Sequence, residues 1–141
     1  MERGRETMQN KPPVPIDAQA KSLRASYPLG QLVLADDREL RWFCNLRPTT
    51  LSDNFFVQFD YALGEIPHVR VVAPDLVVPA GKCLPHVFSD GRICIYDCRA
   101  GMDEWTPWMP LANIVPWAEL WLYYYETWLV TGTWHGKEAQ H

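Results

Sequence analysis

Three features of the chain predict an α+β domain. Two central segments alternate with period two, an amphipathic helical stripe precedes them, and a long aromatic run near the C-terminus is bounded as a helix. Ile16, Ala20, Leu23 and Tyr27 fall on one helical face, with Asp17 as the predicted cap and Pro28 and Gly30 closing the element. That face is expected to pack on a sheet. Leu40, Trp42, Cys44 and Leu46 alternate with Arg41, Asn45 and Arg47, and Phe55, Val57, Phe59 and Tyr61 alternate likewise, so each run reads as a strand buried on one side. Shorter apolar runs at Leu32 to Leu34 and Val69 to Val72, each bounded by turn-forming residues, complete a four-stranded antiparallel meander.

Between Pro74 and Pro110 no period is sustained and Pro, Gly and Asp are frequent, which predicts a structured irregular loop holding Cys94 accessible on a rigid scaffold. The last helix is predicted from about Ile114 to Val130, with Asn113 as cap, Pro116 tolerated in the first turn and Gly132 just past the end. In that helix Trp117, Leu120, Trp121, Tyr124 and Trp128 share one face, while Leu122, Tyr125 and Leu129 cover a second. One face suffices for the sheet. Trp121 is expected in the core. The second face is expected to meet the cysteine loop and Trp134 or to face a partner, with Tyr125 and Trp117 as the partner-binding candidates.

A chain of 141 residues is sized for one domain, and its formal charge of -4 argues against nonspecific nucleic-acid binding. Residues 1–15 hold three prolines and many charges and read as a flexible N-terminal arm, which places the domain at 16–141. The polar start lacks the apolar stretch of a signal peptide, and Pro116, Glu119 and Glu126 interrupt the apolar C-terminal run, so the expectation is a cytoplasmic protein without a membrane span. Four cysteines in such a chain point to free thiols, metal ligands or a nucleophile rather than a disulfide framework.

The densest motif runs Leu84-Pro85-His86-Val87-Phe88-Ser89-Asp90-Gly91-Arg92-Ile93-Cys94-Ile95-Tyr96, with Trp105 downstream. A second block comprises Pro116, Trp117, Trp121, Leu122, Tyr125, Glu126, Trp128, Thr131, Gly132 and Trp134. Together they resemble the bacterial branch of the ubiquitin-conjugating enzymes, and the second block is most similar to the stand-alone conjugating module of short type II CBASS antiphage operons. The resemblance implies the ubiquitin-conjugating (UBC-like) fold. It also implies a transthiolation enzyme that needs no cofactor, in which Cys94 forms a thioester with the C-terminus of a cGAS-like nucleotidyltransferase and so regulates cyclic-nucleotide signalling. The chain is too short to include an activating domain as well, so activation is expected from a separate activating enzyme.

Under that resemblance His86 shapes the loop and is a catalytic candidate beside Cys94. Eukaryotic relatives carry His-Pro-Asn, whereas Val87 and Phe88 follow His86 here. The oxyanion would then need other donors, either backbone amides around Cys94 or the Ser89 hydroxyl. Asp97, Asp103 and Glu104 stand where acidic residues of conjugating enzymes orient or deprotonate an incoming amine, or are solvated loop charges. Cys98 either resolves the thioester by exchange or is a spectator. Two alternatives remain open. The client is a bacterial ubiquitin-like protein, or the chain is a non-catalytic UBC-like binding module in which Cys83, His86, Cys94 and Cys98 hold a structural zinc.

Overall fold

The computed structural model describes residues 11–96 and 105–136. Helix α1 (Ile16–Ser26) leads into strands β1 (Gln31–Ala35), β2 (Glu39–Leu46), β3 (Phe55–Ala62) and β4 (His68–Ala73), and a 3-10 turn (Leu111–Ile114) runs directly into helix α2 (Val115–Thr131). The sheet is an antiparallel meander in the order β1-β2-β3-β4. All four predicted strands are present. The α+β class, the N-terminal helix and the C-terminal helix also match the expectation.

Pairing of Leu40 with Tyr61, Trp42 with Phe59, Cys44 with Val57 and Leu46 with Phe55 puts every predicted inward residue of β2 and β3 on one buried face. Trp42 sits at its centre, with the ring of Phe59 at 5.3 Å and that of Tyr27 at 5.7 Å. Fully burying such a side chain contributes about 1.5 to 3 kcal/mol, so this row of large residues dominates the core. On the opposite face Phe43 stacks on Phe56 at 5.2 Å and Arg41 pairs with Asp60 at 2.6 Å.

The helix ends differ from the prediction. Pro15 occupies the N-cap of α1, and Asp17 lies inside the first turn, where its Oδ1 accepts the Ala18 amide at 2.9 Å. Asn113 does not cap α2 either. Its amide donates to the Pro110 carbonyl within the 3-10 turn, and Ile114 becomes the N-cap. In both places a proline starts the element, because its fixed φ and missing N–H cost nothing at a helix start. The other end of α2 is as predicted: Gly132, at φ 78°, takes the left-handed conformation and donates its amide to Trp128.

The stripe of α2 that is buried is also rotated from the predicted one. Val115, Ala118, Trp121, Leu122, Tyr125 and Trp128 are inside, whereas Leu120 is half exposed. An almost wholly apolar helix has little amphipathic contrast, so sequence periodicity fixes its orientation poorly. The two predicted faces therefore merge into one that includes Tyr125.

Gln19 was not singled out by the sequence. It is fully buried in α1, donates from Nε2 to the Met109 carbonyl at 3.0 Å and accepts the Leu111 amide on Oε1 at 2.6 Å. One amide side chain thus satisfies both backbone groups at the entrance to α2. Gln19→Leu should cost about 2 to 4 kcal/mol in urea unfolding, because it leaves a buried donor and a buried acceptor unpaired.

Candidate functional site

Cys94 lies on a short two-stranded ribbon at the edge of the sheet. Val87 and Ile93 form an antiparallel bridge, the Phe88 amide donates to Arg92, and the Cys94 amide donates to the His86 carbonyl at 2.9 Å. The turn closes at Gly91, at φ 92°, where any side chain would also meet the Arg70 guanidinium. The Ile93 amide donates to the Val69 carbonyl and Arg70 Nη1 donates to the Asp90 carbonyl at 2.7 Å, so the ribbon is docked along β4. Ile93 points into the core.

His86 is the one described non-glycine residue with positive φ, at 57°. That conformation costs roughly 1 to 2 kcal/mol for a residue with a side chain. It turns the His86 carbonyl toward two donors, the Cys94 amide and Trp121 Nε1, the latter at 3.1 Å. The imidazole packs on Trp134 at 4.8 Å, and Trp134 packs on Trp121 at 5.4 Å. What His86 shows here is a backbone function: its carbonyl sets the position of Cys94, and α2 sets the position of the carbonyl.

Cys94 is only 5% exposed, which corrects the expectation of an accessible loop cysteine. It is in the disulfide-bonded form, with Sγ 3.2 Å from the Tyr96 carbonyl oxygen. The ribbon explains the burial, since pairing at Cys94 draws its backbone against the domain. Tyr96 anchors the next step through its hydroxyl, which donates to the Pro67 carbonyl at 2.9 Å, and its ring meets the edge of Trp117 at 6.0 Å. Trp117 is partly exposed beside this segment.

Among the described residues Ser89 makes no hydrogen bond to Cys94. It sits in the turn at the ribbon tip, beyond the Phe88–Arg92 step, whereas Cys94 is paired with His86 at the other end of the ribbon. The amides of Ile93 and Cys94 are themselves committed to Val69 and His86. The Ile95 amide is the neighbouring one that makes no hydrogen bond among the described residues. Asp97, Cys98, Asp103 and Glu104 lie outside the described residues.

Tyr125 is 3% exposed, which removes it as a direct partner contact in this conformation. Its ring stacks on Trp121 and meets Phe55, and its hydroxyl accepts the Val77 amide at 2.6 Å. Burial pushes this phenol above its usual range. Glu126, next along the helix, accepts the Ser52 hydroxyl at 2.6 Å and ties down the β2–β3 turn. The aromatic block therefore braces two loops besides the cysteine ribbon.

Among the described residues, no three His, Cys, Asp or Glu side chains are grouped to hold a metal ion, and the free thiols are Cys44 and Cys83. Burial pushes the Cys44 thiol up to about 12, with Glu119 adding to the effect. Cys83 is exposed. No helix among the described residues is long and apolar enough to cross a membrane.

Two outcomes follow from this geometry. Trp121→Phe keeps a ring but loses the donor to His86 and should cost about 1 kcal/mol in urea unfolding, while Trp121→Ala should cost about 3 to 5 kcal/mol. In native protein at pH 8, iodoacetamide should label Cys83 and spare Cys44, whose thiolate fraction would be about one part in ten thousand, as read by peptide mass spectrometry.

The family model for type II CBASS E2 proteins matches residues 19–141, which takes in most of α1, the whole sheet, the cysteine ribbon and α2 with its aromatic block. No curated protein matches the chain. With the match spanning all of these elements, the chain belongs to the type II CBASS E2 family, as a CBASS-associated conjugating module of E2 type.

Proposed function

We propose that the chain is a transthiolation enzyme of UBC-like fold whose Cys94 receives the C-terminal carboxyl group of a cGAS-like nucleotidyltransferase as a thioester. The observation that carries this reading is the His86 carbonyl bound to both the Cys94 amide and the Trp121 indole, inside a chain of the CBASS E2 family. Residues 16–141 form the conjugating domain and residues 1–15 the arm. The arm meets the domain where the Val14 amide donates to the Pro107 carbonyl.

The acyl group arrives activated, from a separate activating enzyme, because condensation of a free carboxylate with a thiol is uphill. Cys94, once reduced, attacks the carbonyl carbon as the thiolate, and the new C–S bond forms as the bond to the activating group breaks. Negative charge on the carbonyl oxygen is met by the Ile95 amide, in the role that asparagine fills in His-Pro-Asn relatives. An amine then attacks the thioester and regenerates the Cys94 thiolate. His86 serves through its backbone. Asp97 and Asp103 remain the candidates for orienting the amine and Cys98 for thiol exchange, while Trp117, beside Tyr96, is the partner contact.

A second reading, a UBC-like binding module without transfer, is favoured by the burial of Cys94. One experiment separates the two. After mild reduction, incubation with the operon's nucleotidyltransferase and activating enzyme should give a higher-mass band that thiol removes. Cys94→Ser should give no band or a thiol-resistant one, since an oxyester lacks thioester exchange reactivity. A thiol-sensitive band unchanged in Cys94→Ser would move the acyl site to another cysteine, and no band in the wild type would favour the binding module.

A further inference from the structure

The ribbon that carries Cys94 has a second polar feature on the same face. Residues of a strand alternate sides, so Arg92 and Cys94 share one face, with Ile93 turned the other way into the core. Across the ribbon their partners are Phe88 and His86. The Phe88–Arg92 step therefore stands two residues from the His86–Cys94 step, about 7 Å by strand rise.

Arg92 is built into this place. Its guanidinium lies over the Phe88 ring at 4.8 Å, a cation–π arrangement that fixes its plane. Its Nε lies 2.6 Å from Asp90 Oδ2, but the approach is off the N–H axis, so the contact is an ion pair and the buried Nε–H has no aligned hydrogen bond. The terminal guanidinium nitrogens make no hydrogen bond among the described residues. Arg70 adds a second cation, donating to the Asp90 carbonyl. Two guanidinium groups thus meet at Asp90, Arg92 on its carboxylate and Arg70 on its main-chain carbonyl, in a chain whose formal charge is -4.

We infer that the Phe88–Arg92 step is a specificity site that selects an acidic side chain at the third position from the end of the tail delivered to Cys94. The inference rests on the transfer reading above. An extended tail has the same period of two as the ribbon, so a C-terminal residue placed at Cys94 brings its neighbour two positions back over Phe88 and Arg92. There the Arg92 fork meets a carboxylate and the Phe88 ring covers the side-chain stem.

The test uses reduced full-length protein and synthetic tail peptides carrying a C-terminal mercaptoethanesulfonate thioester. Cys94 exchanges with that ester and mercaptoethanesulfonate leaves, so no activating enzyme is needed. Peptides differing only at the third residue from the end, Glu or Lys, are compared by intact-mass kinetics. The Glu peptide should acylate the wild type at least about tenfold more efficiently, chiefly through KM, as expected for one charge-assisted contact. Arg92→Glu should reverse the preference, and its melting temperature should confirm folding. Equal rates for the Glu and Lys peptides on the wild type would overturn the specificity site while leaving transfer intact. No acylation of Cys94 by either peptide would overturn the transfer reading and the inference with it.

Discussion

One carbonyl group, that of His86, joins the three parts on which the site depends. It accepts the Cys94 amide from the ribbon and the Trp121 indole from α2, and it reaches both because His86 adopts a left-handed backbone. The strain of that conformation is offset by two hydrogen bonds and by the Trp134 ring against the imidazole. Remove the indole, and the ribbon keeps its pairing but loses its hydrogen bond to the helix. The position of Cys94 is thus governed by a residue twenty-seven places further along the chain, Trp121.

The sheet was legible because its chemistry is periodic. Every inward residue of β2 and β3 alternates with an outward one, and a one-residue slip of either strand would turn its large residues away from the core. The orientation of α2 was not legible, since Trp117 and Leu120 are as apolar as Ala118 and Leu122, and only packing against Phe55 and the ribbon decides between them. Cap residues were misplaced at both helices because Asp17 and Asn113 were preferred, whereas the starts are made near Pro15, Pro110 and Pro116, which need no side-chain hydrogen bond to start a helix.

At the site, the sequence marked Cys94 and His86 but not how they are linked. His86 was expected to shape the loop, but the contact that positions Cys94 comes from a carbonyl that every residue possesses. Ser89 was named for its nearness in sequence, and the structure places it in the turn at the ribbon tip. Gln19 gave no signal at all: a polar residue on the apolar face of α1 looks like an interruption until the backbone groups at Met109 and Leu111 are brought to it. Side-chain to backbone contacts are poorly encoded in residue patterns, and this domain relies on several.

The Tyr125 hydroxyl engages a peptide unit whose own side chain, Val77, is largely exposed. Exposure of a side chain and solvent exchange of its amide are therefore uncoupled in this segment. A deuterium-exchange map would show Val77 as a protected point on an otherwise open stretch, and its protection would report the seating of α2 rather than any property of the stretch itself. The surface of the domain thus carries a backbone gauge of its own core.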